Sequence, residues 1–206
     1  MRERPAGLTL FPVRANGLMR IGVVSDTHGY FDPCLREVLE GVGAILHGGD
    51  VGSPEILDQL GRIAPVHAVR GNVDSPESNL PLSLTLDFER LQLEMMHILP
   101  VPQPQLEEWA GLASPKGKPP QRSERFLKAF HESTRAVVFG HSHSPCLVNL
   151  GRVLFLNPGS AGKRRFLLPR TCGLLEVFPD HLQATISPLE RYNGTLPPKL
   201  WLDLEK

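Results

Sequence analysis

The stretch Arg20-Ile21-Gly22-Val23-Val24-Ser25-Asp26-Thr27-His28-Gly29 is the one from which the fold can be read outward. Its apolar half, rich in β-branched residues, predicts a strand buried on both faces, as in layered α/β proteins. The run ends in an aspartate and a histidine two residues apart, closed by a glycine. Residues two apart in extended chain point to the same side, which would let Asp26 and His28 act together. Taken alone, an Asp-x-His of this kind is ordinary surface-loop chemistry.

Downstream the pattern recurs. Asp32-Pro33 predicts a helix start, with a helix to about residue 40 and Leu35, Val38 and Leu39 on its apolar side. Residues 44–46 predict a second buried strand, running into His47-Gly48-Gly49-Asp50. Ser53-Pro54-Glu55 opens another helix, and residues 66–69 predict a strand ending in Arg70-Gly71-Asn72-Val73-Asp74. The alternation then stops. Residues 82–88 and 91–97 read as two strands about Glu89-Arg90, and the proline-rich residues 100–120 as a long loop anchored by Trp109 and Leu112. A helix is expected over 123–132 and a buried strand over 136–139, leading into Gly140-His141-Ser142-His143. Two hairpins follow, 147–149 with 153–156 and 173–178 with 182–187, separated by Asn157-Pro158-Gly159-Ser160. The tail from Leu189 carries no readable signal. Residues 1–18 lack the apolar segment of a signal peptide and read as a loosely attached extension to one domain over 19–206.

At 206 residues, 41% hydrophobic and 21% charged, the composition is that of a globular chain with one substantial core. Lysine plus arginine balances aspartate plus glutamate at 22 each, which gives no electrostatic case for a nucleic-acid polymer. No apolar run approaches the roughly 20 residues of a membrane span. Cys34, Cys146 and Cys172 form no CxxC pair, and they read as small buried hydrophobes of a cytoplasmic protein. A homo-oligomer is left open.

The polar clusters are the informative part. Asp26-Thr27-His28, Gly49-Asp50, Gly71-Asn72, His97 and Gly140-His141-Ser142-His143 each follow an apolar run. In open α/β sheets ligands bind at the carboxyl ends of strands, which would put all five clusters on one rim. Each has a plain explanation in turn chemistry, but five of one kind in one position are hard to credit to turns. The pooled donors are Asp26, His28, Asp50, Asn72, His97, His141 and His143. They exceed what one cation needs and suit two cations that share a carboxylate. Imidazole and carboxylate without thiolate favour manganese, iron, zinc or nickel over calcium.

Those motifs, SDTHG (25–29), GGD (48–50), RGNVD (70–74), MMHIL (95–99), GHSHSP (140–145) and NPGS (157–160), resemble the calcineurin-like metallophosphoesterases, in particular their small bacterial and archaeal phosphodiesterase branch. The resemblance spans residues 19–187. It implies an α/β fold, a four-layer α/β/β/α sandwich with two mixed sheets. It also implies one metal on Asp26, His28, Asp50 and His143, and a second on Asp50, Asn72, His97 and His141, with Asp50 shared. The implied activity is that of a two-metal, manganese-type phosphodiesterase cleaving a small or nucleotide-like phosphodiester through a metal-bridging hydroxide. Asp50 and Asn72 would serve catalysis, and Asn72 and Arg165 would contact substrate, Arg165 by gripping a phosphate oxygen.

The chain departs from the family pattern at two places. Val73-Asp74 follows Asn72 where larger members carry a histidine acid, which leaves Asp74, water or the substrate as proton source. Ile98 follows His97 where a glycine is usual. Two other readings stand beside the phosphodiesterase: a non-catalytic protein-binding scaffold of the same fold, and a phosphomonoesterase or nucleotide pyrophosphatase.

Overall fold

The computed structural model describes residues 18–88, 91–112, 120–164 and 167–204, without the side chains of Phe88 and Leu112. Two sheets face each other. The first contains β1 (Met19–Val24), β2 (Ala44–His47), β3 (Val66–Ala68), β9 (Thr171–Val177), β10 (His181–Pro188) and β11 (Leu200–Asp203) in the order β11-β10-β9-β1-β2-β3. The second contains β4 (Ser83–Phe88), β5 (Leu91–Met96), β6 (Thr134–Val138), β7 (Cys146–Leu150) and β8 (Val153–Asn157) in the order β4-β5-β6-β8-β7. Strands β1, β2 and β3 are mutually parallel, as are β5, β6 and β8, while the remaining pairings are antiparallel. Both sheets are therefore mixed.

The strands read as unbroken apolar runs because both of their faces are covered. Ile21 and Val23 of β1 meet Leu93, Met95, Val138, Leu154 and Leu156 in the core between the sheets, whereas Val24 joins the outer cluster under the first helices. β6 behaves likewise: Ala136 and Val138 face inward, and Val137 and Phe139 face the helices beyond the second sheet. The helices α1 (Leu35–Val38) and α2 (Pro54–Gly61) cover the first sheet through Leu35, Ile56 and Leu60. The helices α3 (Gln103–Leu112) and α4 (Gln121–Leu127) cover the second through Leu106, Trp109 and Phe126. The result is the expected α/β/β/α sandwich.

Several boundaries differ from expectation. α1 is a single turn rather than a helix to residue 40, and its N-cap is Cys34 and not Asp32, whose Oδ1 instead accepts the Cys34 N–H at 3.0 Å in the turn before the helix. α4 ends at Leu127, short of residue 132. The proline-rich segment contains a ten-residue helix where a loop was expected. Pro102 and Pro104 sit at its start, where a missing N–H leaves nothing unsatisfied, and the Pro102 carbonyl accepts from Gln105 and Leu106. The unreadable tail supplies β11, which closes the edge of the first sheet. Cys146 and Cys172 are buried as expected, but Cys34 is exposed. Residues 1–17, the Glu89-Arg90 turn and Arg165 lie outside the described residues. Among the described residues no helix is long and apolar enough to cross a membrane.

Candidate metal centre

Because β1, β2 and β3 run parallel, and β5, β6 and β8 likewise, their carboxyl ends gather the polar loops. Backbone hydrogen bonds knit these loops together: Asp26 N–H to Gly49 O at 2.9 Å, His28 N–H to Asp50 O at 3.0 Å, and Gly140 N–H to His97 O at 3.0 Å. The seven expected donors form one contiguous string. Asp26 Oδ1 lies 3.2 Å from His143 Nε2, which is 3.1 Å from His28 Nε2. His28 Nε2 is 3.8 Å from Asp50 Oδ2, and Asp50 Oδ1 is 3.3 Å from His97 Nε2. Asn72 Oδ1 then stands 3.1 Å from His97 Nε2 and 2.8 Å from His141 Nδ1.

Asp26 and His28 do not converge through extended backbone, as the two-residue spacing suggested. Their φ angles are 54° and 47°, and Asp50 (53°), His141 (72°) and His143 (56°) are left-handed too. Among the described residues the one other non-glycine in this region is Asn79, at the end of the 3-10 turn Pro76–Ser78. Left-handed backbone costs an L-residue about 1–2 kcal/mol. Five such residues in one site mark strain that the surrounding loops must hold.

The donor set fits cations. His97 Nδ1 faces the Gly48 carbonyl at 2.7 Å; a carbonyl can only accept, so Nδ1 carries a proton and Nε2 is the nitrogen turned to the site. Nε2 faces two oxygens, Asp50 Oδ1 and Asn72 Oδ1, an arrangement satisfied by a positive charge there, a proton on the metal-free ring or a cation among the three atoms. His28 and His143 likewise aim ring nitrogens at each other. The buried Asp26 Oδ1 has no hydrogen bond despite the nearby His143 ring. Donor atoms of Asp26, His28, Asp50 and His143 all lie within 4.8 Å of one another. Electrostatics agree. Burial alone pushes the Asp50 carboxyl up, but the His97 hydrogen bond, the Val73 N–H and the charges of His97 and His28 outweigh it and hold the group at about 2. Burial works against the charged form of His97, yet Asp50, Asp26 and the Gly48 carbonyl raise it above its ordinary value. The site thus holds Asp50 as a carboxylate and favours positive charge on His97 beside it.

Supporting residues surround the donors. Ser25 Oγ donates to Asp26 Oδ2 at 2.6 Å, and Ser160 Oγ to the Asp26 carbonyl at 2.8 Å. Asn157 Nδ2 donates to the Gly140 carbonyl at 3.0 Å. His47, fully buried, accepts the Gly49 N–H on Nδ1, so its Nε2–H donates to Thr27 Oγ1 at 2.9 Å. NPGS was visible in the sequence, but its bracing of the ligand loops was not, since the partners lie over a hundred residues away for Ser160. Asp74 accepts the Gly52 N–H on Oδ1 at 2.9 Å and the Gly71 N–H on Oδ2 at 2.8 Å.

Residues 19–179 match the calcineurin-like phosphoesterase superfamily domain. The chain belongs to that superfamily. It is 31% identical over 183 residues to a probable metallophosphoesterase of Methanocaldococcus jannaschii, covering 84% of this chain and 83% of the relative. Among solved structures it is similar to a predicted phosphoesterase from Streptococcus pneumoniae, with TM-score 0.62, 21% identity, and 90% and 98% of the two chains covered. It is similar also to wild-type vacuolar protein sorting 29 of Entamoeba histolytica in complex with zinc, with TM-score 0.64, 21% identity, and 90% and 99% covered.

Proposed function

We propose that the protein is a two-metal phosphodiesterase acting on a small or nucleotide-like phosphodiester. The observation that carries this reading is Asp50, whose two carboxylate oxygens face different histidines, Oδ1 toward His97 and Oδ2 toward His28. A carboxylate placed so is suited to bridge two cations. Asp26, His28, Asp50 and His143 would hold one, and Asp50, Asn72, His97 and His141 the other. When bound, such ions supply Lewis acidity and bring a water to reactivity near neutral pH; manganese is the expected ion.

The chain's own residues do the rest. Asn72 turns its carbonyl to the histidines, which leaves its amide hydrogens for a phosphate oxygen. Arg165 is proposed as a second phosphate grip. Hydrolysis forms a phosphorus–oxygen bond from water, breaks the bond to the leaving alcohol and requires a proton on that alcohol. Asp74 does not suit this task, because both of its oxygens are engaged by backbone N–H groups, Oδ1 by Gly52 and Oδ2 by Gly71. We assign it instead the bracing of the Gly71 and Gly52 loops, and assign the proton to water. A scaffold role is disfavoured by the presence of all seven donors.

Asp50→Asn should remove bound metal at both positions and hydrolysis of bis(p-nitrophenyl) phosphate together. Metal analysis after purification without chelator, run beside the assay, checks this. Wild-type activity and metal content in the variant would sink the assignment, and a wild-type protein with sub-stoichiometric metal would point to the scaffold. A panel of phosphate monoesters, diesters and pyrophosphates assayed with manganese separates the diesterase from the monoesterase and pyrophosphatase readings.

A further inference from the structure

We infer that Gln103, the first residue of α3, is a positioning residue that holds the His141-Ser142-His143 bracket in the shape needed to serve both metals. The inference rests on the two-metal reading above. His141 and His143 are both left-handed, at φ 72° and 56°. They point to opposite ends of the centre, His141 Nδ1 toward Asn72 and His143 Nε2 toward His28 and Asp26. Ser142 between them is exposed, so packing does not keep the bracket in place. Hydrogen bonds do. Its hydroxyl donates to Gln103 Oε1 at 2.7 Å and accepts from Asn157 Nδ2 at 3.0 Å and Ser144 N–H at 3.2 Å.

Gln103 grips the bracket on both sides of His143. Its Oε1 takes the Ser142 hydroxyl, and its Nε2 donates to the Ser144 carbonyl at 3.3 Å. The same Oε1 accepts from Asn157 Nδ2 at 3.1 Å, which ties the bracket to the NPGS loop. Asn157 itself reaches the Gly140 carbonyl just before His141. The grip is rigid because its support is. Leu106 is fully buried, and Trp109, three residues on along the same helix face, lies against Phe126 with ring centroids 5.7 Å apart. Metal ligands held through one support must stay within about 0.5 Å of productive geometry. Movement of this bracket displaces a ligand of each metal at once.

The test is manganese titration calorimetry on the full chain without substrate, paired with thermal unfolding of the metal-free protein. Gln103→Ala should weaken binding at both metal positions by about 10–100-fold, the range for residues that orient ligands. The metal-free unfolding temperature should stay close to that of the wild type. Ser142→Ala removes the hydroxyl that Gln103 Oε1 holds, and combined with Gln103→Ala it should weaken binding little more than either change alone, a non-additivity that a general packing defect would not produce. Wild-type affinity in Gln103→Ala, or fully additive losses in the double variant, overturns the positioning role alone. A wild-type protein that takes up no manganese overturns the two-metal reading, and this proposal with it.

Discussion

Gly71 shows how closely the site is built. A Cβ on this residue would collide with the Asp50 backbone nitrogen and carboxylate, and one on Gly140 would collide with Ser25 Oγ and lie 2.7 Å from Asp26 Oδ2. Neither residue has positive φ, so close approach and not backbone freedom explains the glycine. Gly71→Ala should destabilise the protein by about 1–3 kcal/mol, the usual range for overpacking, and lower manganese stoichiometry; denaturant unfolding and metal analysis read the two effects. His47 is a second test at this scale. Burial pushes its imidazole down to about 4, against the pull of Asp26 and Asp74, while the unfolded side chain titrates near 6.5. Between those values the unfolded chain holds the extra proton. Stability is therefore complete above about pH 6.5 and is lost as pH falls, at about 1.4 kcal/mol per unit and about 3 kcal/mol in all. Unfolding of the metal-free protein in urea across pH 4–7 should show this slope, and His47→Asn should flatten it.

At the scale of elements, α3 is where local reading failed and packing explains why. Proline richness at 100–120 signalled a loop, but the prolines at 102 and 104 fall at a helix start. What stabilises the helix is the insertion of Leu106 and Trp109 among Phe126, Phe130 and Phe155. These partners are distant in the sequence, so no local pattern announces them. Trp109→Ala should destabilise by about 3–5 kcal/mol, as for large aromatic truncations in cores. It should also weaken manganese binding, since α3 carries Gln103; thermal unfolding and calorimetry report each. β11 is a similar case. Its four residues gain a partner only when β10 is in place, and the Trp201 carbonyl accepts from Asn149 of the other sheet at 2.9 Å.

At the scale of the whole molecule, the two sheets bring together loops that the chain keeps far apart. Strands β1 and β6 are separated by more than a hundred residues, yet His141 N–H donates to Asp26 Oδ2 at 3.1 Å. The centre therefore spans both sheets, and metal bound there should act as a clasp. At a free metal concentration of 100 times Kd, one site adds about 2.7 kcal/mol. For a chain of this size that corresponds to about 5–10 °C in Tm. Scanning calorimetry with manganese and after chelation should show at least this difference, and Asp50→Asn should abolish it.

The amino-acid sequence by itself determined the strands other than β11, because their apolar runs leave a local pattern, and it determined which donor types stand at their ends. Recurrence at five strand ends made the candidate donors legible. Only the tertiary structure decided how those donors face one another. Asp26 and His28 converge through left-handed backbone and not through extended alternation, and Asp74 spends both oxygens on loop N–H groups. The reason is physical: side-chain periodicity is a property of neighbouring residues. Strain at a metal-binding loop persists only when distant residues, such as Ser160 holding the Asp26 carbonyl, over-determine it.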